Sequence, residues 1–446
     1  MLNAYASTHP RHKFGKLQWY LFAPAIALFA GFLLQFCSPS LAQEKTITAL
    51  VPTLTAPDSN AKPCPPIETS KAAPVDGLKI SAALSPLPAS VASDAPCAPN
   101  PTPTPAPPIV AHIALFLPLS NKSFATVAEA VKVGFTTAAS SDGAAAPAYR
   151  VYAVENEGDS LAAAYHKAAA EGAVVAVAAL TRDGATRIAK EGGSLPTLAL
   201  NAPAADVGTP KLFYYLSLSV DAEARQAAQL AVMDGFTSAI IVASNAALPK
   251  RVRESFEREF LKLGLEVKAT VTLNGDAQDS IRVRQGTERI RLDPATDMIF
   301  LALDVKSARS LRPYLPSGIP VYATSMAFDS RAGHVANLDM ESVRLLEMPW
   351  SVQPDHPAVM IYAKPNHNFS AEQERLYALG VDAWRVASML TSVAPPTTQN
   401  RLERQLAPID GVTGKLSFDM TTRQFTRTLT AIELRNGKPC LYRGSE

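Results

Sequence analysis

The chain has 446 residues, of which 47% are apolar, and a mean hydropathy of +0.05. This composition can form a large buried core, and the length leaves room for two or three domains. The 42 basic residues nearly balance the 40 acidic ones, which excludes the concentrated positive charge that a nucleic acid partner requires.

The first 42 residues have the organisation of a secretory signal. Basic residues precede a continuous apolar run over residues 21–34, and this run is shorter than the roughly 20 residues that a bilayer span needs. Small residues stand at Ser40 and Ala42, as a signal peptidase requires. The sequence therefore predicts export to the periplasm, with cleavage after Ala42.

Two other fates of this segment remain open. Cys37 is a candidate for lipidation, although Phe36 is bulky at a position where a lipoprotein signal has a small residue. The segment could also stay uncleaved as an anchor, because Trp19 and Tyr20 extend its apolar part. In both cases the chain would meet the outer or inner membrane only through its N-terminus.

Three cysteines remain after cleavage, namely Cys64, Cys97 and Cys440. An oxidising compartment permits one disulfide and leaves one thiol over. A bridge between Cys64 and Cys97 and a set of separate thiols both fit the sequence, because nothing local fixes the approach of two of these residues. No spacing of cysteine and histidine predicts a metal site, and no motif predicts a cofactor.

Residues 43–108 are predicted to form a proline-rich disordered linker. Fifteen prolines fall among the 58 residues from 51 to 108. Proline lacks a backbone donor and fixes φ, so this stretch favours polyproline II over packed structure. At ~3.1 Å per residue its extended length is on the order of 180 Å, which suits a tether that holds a domain away from a membrane.

Residues 109–446 are predicted to form an α/β domain. Apolar runs of strand length alternate with amphipathic segments through short polar connectors, which indicates βαβ units and parallel sheets. One sheet with all these strands would be very large, so we predict two doubly wound lobes with a cleft between them. The predicted strands are residues 110–119, 149–154, 173–178, 197–200, 214–218, 239–243, 266–272, 297–301, 320–323 and a β-rich tail over 414–434. The predicted helices are residues 124–139, 161–171, 181–191, 221–234, 248–263, 278–290, 305–315 and 371–390.

The domain shows no arrangement of residues typical of catalysis. The sequence contains no nucleophile motif, P-loop or dinucleotide-binding motif. His112 is predicted to be a core or strand-end histidine, and His356 and His367 fall in loops. Glu155 and Glu157 follow a strand without a partner motif, so we interpret them as solvated acids. The sequence therefore predicts no catalytic residue and a protein that is not an enzyme.

A ligand site can be placed at the carboxyl ends of two predicted strands. Ligands of open α/β sheets bind there, next to helix N-termini, and hydroxyl, backbone N–H and cationic groups could hold a small carboxylate in the cleft. The candidate contacts are Ser120, Asn121, Lys122, Ser123, Thr181 and Arg182. The alternative is that the serines and the threonine simply cap helices.

Several segments of the domain carry a resemblance to a known family. They are residues 113–120 (IALFLPLS), 222–228 (AEARQAA), 321–325 (VYATS), 343–350 (VRLLEMPW), 375–383 (RLYALGVDA) and 411–419 (GVTGKLSFD). In these segments the chain resembles the LppC/LpoA family of penicillin-binding protein activators, which have a type 1 periplasmic-binding-protein fold. The fourth and fifth segments are the most specific, whereas the first would fit any binding protein of this type.

The resemblance implies a fold, a lobe division and a function. It places about residues 109–219 and 319–406 in one lobe and about residues 220–318 and 407–446 in the other. It implies a non-enzymatic envelope protein that binds a class A penicillin-binding protein and stimulates peptidoglycan synthesis. The alternative function is a periplasmic solute-binding protein for an amino acid or a similar small anion. Trp350 is either a surface contact for a partner or a core residue.

Overall fold

The computed structural model describes residues 109–273, 296–366, 368–392 and 407–444. The predicted signal segment and linker lie outside these ranges, and with them Cys37, Cys64 and Cys97. The predicted helix over residues 278–290 and His367 also lie outside. The proposed disulfide, lipidation and cleavage therefore stay predictions.

The first lobe is built on an eight-stranded sheet among the described residues, in the order β11-β12-β13-β5-β4-β3-β1-β2. From β13 to β2 all neighbours are parallel, whereas β11, β12 and β13 pair antiparallel. Its strands are β1 (His112–Leu117), β2 (Tyr149–Ala153), β3 (Ala173–Ala178), β4 (Thr197–Ala199), β5 (Phe213–Leu216), β11 (Ile409–Asp410), β12 (Lys415–Asp419) and β13 (Gln424–Thr428). Strand β1 is buried along its whole length, as its unbroken apolar run predicts for a central parallel strand.

The second lobe is built on a seven-stranded sheet in the described ranges, in the order β15-β14-β10-β9-β8-β6-β7. The strands from β10 to β7 are parallel, and β14 and β15 add an antiparallel edge. Its strands are β6 (Ser238–Ser244), β7 (Glu266–Leu273), β8 (Met298–Ala302), β9 (Val321–Ala323), β10 (Val343–Glu347), β14 (Thr430–Arg435) and β15 (Lys438–Leu441). The predicted α/β class with two parallel-dominated lobes is thus confirmed.

Helices cover the sheets. They are α1 (Ala125–Ser141), α2 (Asp159–Ala170), α3 (Arg182–Glu191), α4 (Val220–Met233), α5 (Ala247–Lys262), α6 (Val305–Leu311), α7 (Pro349–Val352), α8 (Pro357–Met360) and α9 (Ala371–Thr391). Helices α1 and α9 approach each other closely through Gly134 and Gly380. A Cβ added at Gly134 would lie 1.9 Å from the Tyr377 carbonyl oxygen, so only glycine permits this separation. In the described ranges no helix is long and apolar enough to cross a bilayer.

The predicted lobe boundaries are wrong for much of residues 319–446. Strands β9 and β10 belong to the second lobe, because β9 pairs in parallel with both β8 and β10. The prediction that the chain returns to the first lobe is correct for helix α9, because this helix packs along α1. The tail is divided between the lobes: β13 pairs with β5, and β14, after a single intervening residue, pairs antiparallel with β10.

The chain therefore crosses between the lobes three times in the described ranges, after β5, after β10 and between β13 and β14. The largest hydrophobic cluster is continuous across these crossings, since it contains both Phe135 of the first lobe and Phe300 of the second. The sequence could not place the crossings, because strand patterns do not specify which strand pairs with which. His112 is a buried residue of β1, as predicted.

Candidate functional site

The cleft between the lobes has a volume of about 500 Å³ beside the first crossing. The loops that follow β3 and β4 supply its first-lobe wall, and residues 217–220 of the crossing form its floor. Leu248 and Arg251 face it from the second lobe. These loops leave the carboxyl ends of parallel strands, which is where ligands of such sheets bind.

Four of the six predicted contacts come from the loop after β1. Asn121 is engaged locally: its amide donates to the Glu155 carbonyl oxygen (3.1 Å), and its side-chain oxygen accepts from the Ser123 N–H (2.9 Å). Asn121 lines a second recess of about 440 Å³, which also contains Thr181. Ser120, Lys122 and Ser123 are exposed and line neither cavity.

The other two predicted contacts, Thr181 and Arg182, line the cleft. Thr181 is the N-cap of α3, because its side chain accepts from the Gly184 N–H. The capping alternative is therefore correct for Thr181. Arg182 is exposed at the start of the helix. A role of any of the six residues in ligand binding stays a prediction.

A carboxylate lies at the start of α3, and it belongs to Glu157. Its Oε1 accepts from the Leu180 N–H (2.7 Å), and its Oε2 accepts from the Thr181 N–H (2.7 Å) and the Thr181 hydroxyl (2.5 Å). The interpretation of Glu157 as a solvated acid is thus wrong, whereas Glu155 is exposed as predicted. No sequence motif marks this contact, because the two segments meet only in the folded sheet.

The floor of the cleft offers a polar group that the sequence did not single out. Ser217 is only 6% exposed, and its hydroxyl has no hydrogen-bond partner among the described residues. Asn201, after β4, is already engaged through the Leu180 carbonyl oxygen (2.8 Å). Arg251 of the second lobe pairs with Asp221. The cleft therefore has guanidinium groups on both walls, and the unpaired hydroxyl of Ser217 is buried at its floor.

Beneath the cleft, a buried polar network joins the two lobes. Arg427 of β13 lies 3.5 Å from Glu223 of α4 (Nη2 to Oε1), and Ser325, which follows β9, donates its hydroxyl to the other Glu223 oxygen (2.6 Å). Arg427 also donates to the carbonyl oxygens of Ser217 (3.0 Å) and Thr413 (3.1 Å). The Arg427 guanidinium of the first lobe thus binds both the Glu223 carboxylate of the second lobe and the backbone of the first crossing.

A second ion pair joins the lobes at the next crossing. Arg375 of α9 lies 2.5 Å from Glu347 at the end of β10 (Nη2 to Oε2), and both side chains are nearly inaccessible to solvent. Arg375 also donates to the carbonyl oxygens of Ser325 (3.0 Å) and Phe328 (3.3 Å). Burial opposes the charged form of Arg375, but the Glu347 carboxylate, together with Glu223 and Glu372, raises the pKa of Arg375 overall.

A third buried carboxylate, that of Asp382 on α9, holds the turn before β12. It accepts from the backbone N–H groups of Val412 (3.0 Å) and Thr413 (2.8 Å) and from the Thr413 hydroxyl (2.6 Å). Burial raises the pKa of Asp382 and also that of Glu223, against the opposing effect of their donors. The turn over residues 411–414 is closed by the Gly411 N–H, which donates to the Gly414 carbonyl oxygen (3.1 Å), and this carboxylate fixes its geometry.

Five of the six segments that carry the family resemblance meet in this network. Their contributions are Glu223, Ser325, Glu347, Arg375, Asp382 and Thr413. Trp350 joins them through its backbone N–H, which donates to the Val412 carbonyl oxygen (3.0 Å). Its side chain is buried, so the core interpretation of Trp350 is correct. The arrangement is structural: it fixes how the lobes meet. In the part of the chain that the structure describes, no group of three or more acidic, His or Cys residues could hold a metal ion.

The domain is similar to a known protein family and to several curated proteins. A family model described as "LppC putative lipoprotein" matches residues 108–437. Penicillin-binding protein activator LpoA of Klebsiella pneumoniae is 26% identical over 254 residues, covering 50% of this chain and 36% of the relative. LpoA of Photobacterium profundum is 23% identical over 337 residues, covering 69% of this chain and 53% of the relative. The chain thus spans about a third to a half of the length of these curated relatives.

Solved structures share the same two-lobed architecture. The C-domain of LpoA (YraM) from Haemophilus influenzae, "a regulator of PBP1A", has a TM-score of 0.59 and 20% identity, covering 74% of this chain and 99% of that domain. A Chromobacterium violaceum protein, described as "a putative branched-chain amino acid ABC transporter", has a TM-score of 0.59 and 31% identity, covering 72% of this chain and 99% of that protein.

Proposed function

Because the chain belongs to the LppC family, we propose that it is a non-enzymatic envelope protein that binds and activates a class A penicillin-binding protein, regulating peptidoglycan synthesis. The observation that carries this proposal is the family match over residues 108–437, which spans nearly the whole two-lobed domain. Curated relatives that share this domain are named penicillin-binding protein activators. Regulation by docking requires no catalytic residue, which agrees with the structural character of the buried network.

We place the protein in the periplasm, with the proline-rich linker as the tether between the domain and a membrane. This placement rests on the signal-like N-terminus and on the linker composition. Cleavage after Ala42 and lipidation of Cys37 give mature N-termini of different mass. Mass spectrometry of the protein purified from membranes and from the soluble periplasmic fraction distinguishes them, because only lipidation adds a diacylglyceryl group to Cys37.

We propose the exposed pair Met360 and Ile361 as the surface that contacts the synthase. Met360 is 70% exposed and Ile361 is 59% exposed, so two adjacent apolar side chains face solvent here. The pair follows the family segment that ends at Trp350. Lys364 anchors this region, since its Nζ donates to the Trp350 carbonyl oxygen (3.0 Å) and lies 3.9 Å from the centroid of the indole ring.

Two measurements test the proposal: the affinity of the purified chain for a class A penicillin-binding protein, and the rate of glycan polymerisation with and without it. We expect saturable binding and a faster rate. Met360→Asp/Ile361→Asp should weaken both effects. Met233→Asp is the matched control, because Met233 is 74% exposed in the second lobe, at the end of α4. Absence of binding and of stimulation by the wild-type chain would overturn the proposal.

A second function, solute binding in the cleft, is favoured by one observation: the cleft of about 500 Å³ is lined by Arg182 on one wall and by Arg251 on the other. The 31% identity to a protein described as a branched-chain amino acid transporter points the same way. Arg182 and Arg251 would then attract an anion. A thermal-shift screen of amino acids and small anions tests this function, since a bound ligand raises Tm at saturation. A flat screen together with synthase stimulation rejects it.

A further inference from the structure

We propose that a carboxylate site, here called the seat, is formed by the backbone N–H groups of Leu180 and Thr181 and the Thr181 hydroxyl, and that the side chain of Glu157 fills it. The donors line the cleft and Glu157 lines the neighbouring recess, so the folded protein excludes free carboxylates from this seat. The inference does not rest on the synthase contact. It concerns the ligand chemistry that the second candidate function would need.

The seat has the donors that a free carboxylate would require. Two consecutive backbone N–H groups and one hydroxyl converge on the two Glu157 oxygens at 2.5–2.7 Å. The donors follow β3 and precede α3, a helix of ten residues, so the helix dipole adds to their attraction for an anion. Ser217 lines the same cleft as Thr181, and its buried hydroxyl has no hydrogen-bond partner among the described residues.

Gly184, in the first turn of α3, is matched to this side chain. A Cβ added at Gly184 would lie 2.5 Å from the Glu157 Oε2 atom and 2.8 Å from its Cβ. The φ angle of Gly184 lies outside the left-handed region, so the turn itself does not require glycine. Glycine is required here by the close approach of Glu157. This requirement indicates that the position of the Glu157 carboxylate is built into the fold.

The guanidinium group near the seat is paired with carboxylates other than that of Glu157. Arg187, which lines the adjacent recess, is paired with Asp159 (2.7 Å) and Glu191 (2.5 Å). The negative charge of Glu157 is therefore balanced by the N–H donors and the helix terminus. A carboxylate attached to the same chain competes at an effective concentration on the order of millimolar or higher, so dilute free carboxylates should not displace it.

Chemical rescue tests the proposal. Glu157→Ala removes the occupant and should lower Tm by a few degrees, and sodium acetate should restore at least half of that loss when compared with sodium chloride at equal ionic strength. Wild type and Glu155→Ala should respond equally to the two salts. Gly184→Ala should lower Tm without an acetate response, because the added Cβ obstructs any carboxylate in the seat.

Two results would overturn the proposal. One is an equal response of Glu157→Ala to acetate and chloride, which would mean that the donors do not form a carboxylate seat. The other is saturable millimolar binding of acetate or L-leucine to the wild-type chain that Gly184→Ala abolishes, which would mean that the seat is open. This titration needs no Glu157 variant, so it decides the matter even where Glu157→Ala does not fold.

Discussion

Arg427 of the first lobe and Glu223 of the second form a buried ion pair, with 3.5 Å between Nη2 and Oε1. The two residues lie 204 positions apart in the chain and meet where it crosses between the lobes. Arg427 also donates to two carbonyl oxygens of the first lobe. The relative position of the lobes is therefore fixed by groups that are largely shielded from water.

Loss of this guanidinium should destabilise the protein strongly. Arg427→Met leaves the Glu223 carboxylate buried without its cation, and breaking a buried pair in this way costs about 3–5 kcal/mol. Urea denaturation measures the loss. The double variant Glu223→Gln/Arg427→Met should lose less than the sum of the two single variants, because it buries no unpaired charge.

A surface ion pair provides the control for this prediction. Lys132 and Glu129 are 2.6 Å apart on the exposed face of α1, and such pairs contribute less than about 1 kcal/mol. Lys132→Met should therefore leave the midpoint of unfolding nearly unchanged. If Arg427→Met were no more destabilising than Lys132→Met, the pair would have no role in joining the lobes.

The buried Glu223 carboxyl should give the stability a pH dependence. Burial raises its pKa above the ordinary value of 4.5, so between that value and its raised pKa the folded chain holds a proton that the unfolded chain has released. The free energy of unfolding of the wild type, relative to Glu223→Gln, should be highest below about pH 4.5 and fall as pH rises through the raised pKa. Denaturation of both proteins from pH 4 to pH 8 tests the sign, and a difference that grows with pH would contradict it.

Asp382 should be needed for the turn over residues 411–414. Asp382→Ala leaves the Val412 and Thr413 N–H groups and the Thr413 hydroxyl buried without their acceptor, at a cost on the order of 3 kcal/mol. Thr413→Val removes only the hydroxyl bond and should cost about 1 kcal/mol. Denaturant midpoints compare the two variants, and a larger loss for Thr413→Val would show that the backbone contacts are unimportant.

The contact between α1 and α9 should not tolerate a methyl group. At Gly134 the added Cβ would meet the Tyr377 carbonyl oxygen at 1.9 Å, so Gly134→Ala must separate the helices and should cost about 1–3 kcal/mol. Gly208→Ala is the control, because nothing lies within 4 Å of its Cβ position, and it should be neutral or slightly stabilising. In thermal denaturation the Tm of Gly134→Ala should therefore fall clearly, whereas the Tm of Gly208→Ala should stay unchanged or rise slightly.

Local sequence patterns predicted most of the elements, but no strand was predicted at β10, and the predicted tail over 414–434 ended before β15. The strand over residues 173–178 matches β3 at both ends, and helix α9 extends one residue beyond its predicted end at residue 390. These elements follow from side-chain periodicity, which is a property of neighbouring residues. The lobe boundaries in the second half were wrong, because strand pairing depends on contacts between residues far apart in the chain.

The sequence by itself determined the α/β class, the two-lobed arrangement, the family and the near balance of charge, because periodicity, composition and motifs are local or additive. Only the tertiary structure decided what the motif residues do. It brings Glu223, Arg375, Asp382 and Arg427 together beneath the cleft, and it places Glu157 on the donors at the start of α3. A carboxylate and its donors can lie anywhere in the chain as long as the fold places them within about 3 Å of each other, so no spacing in the sequence reveals them.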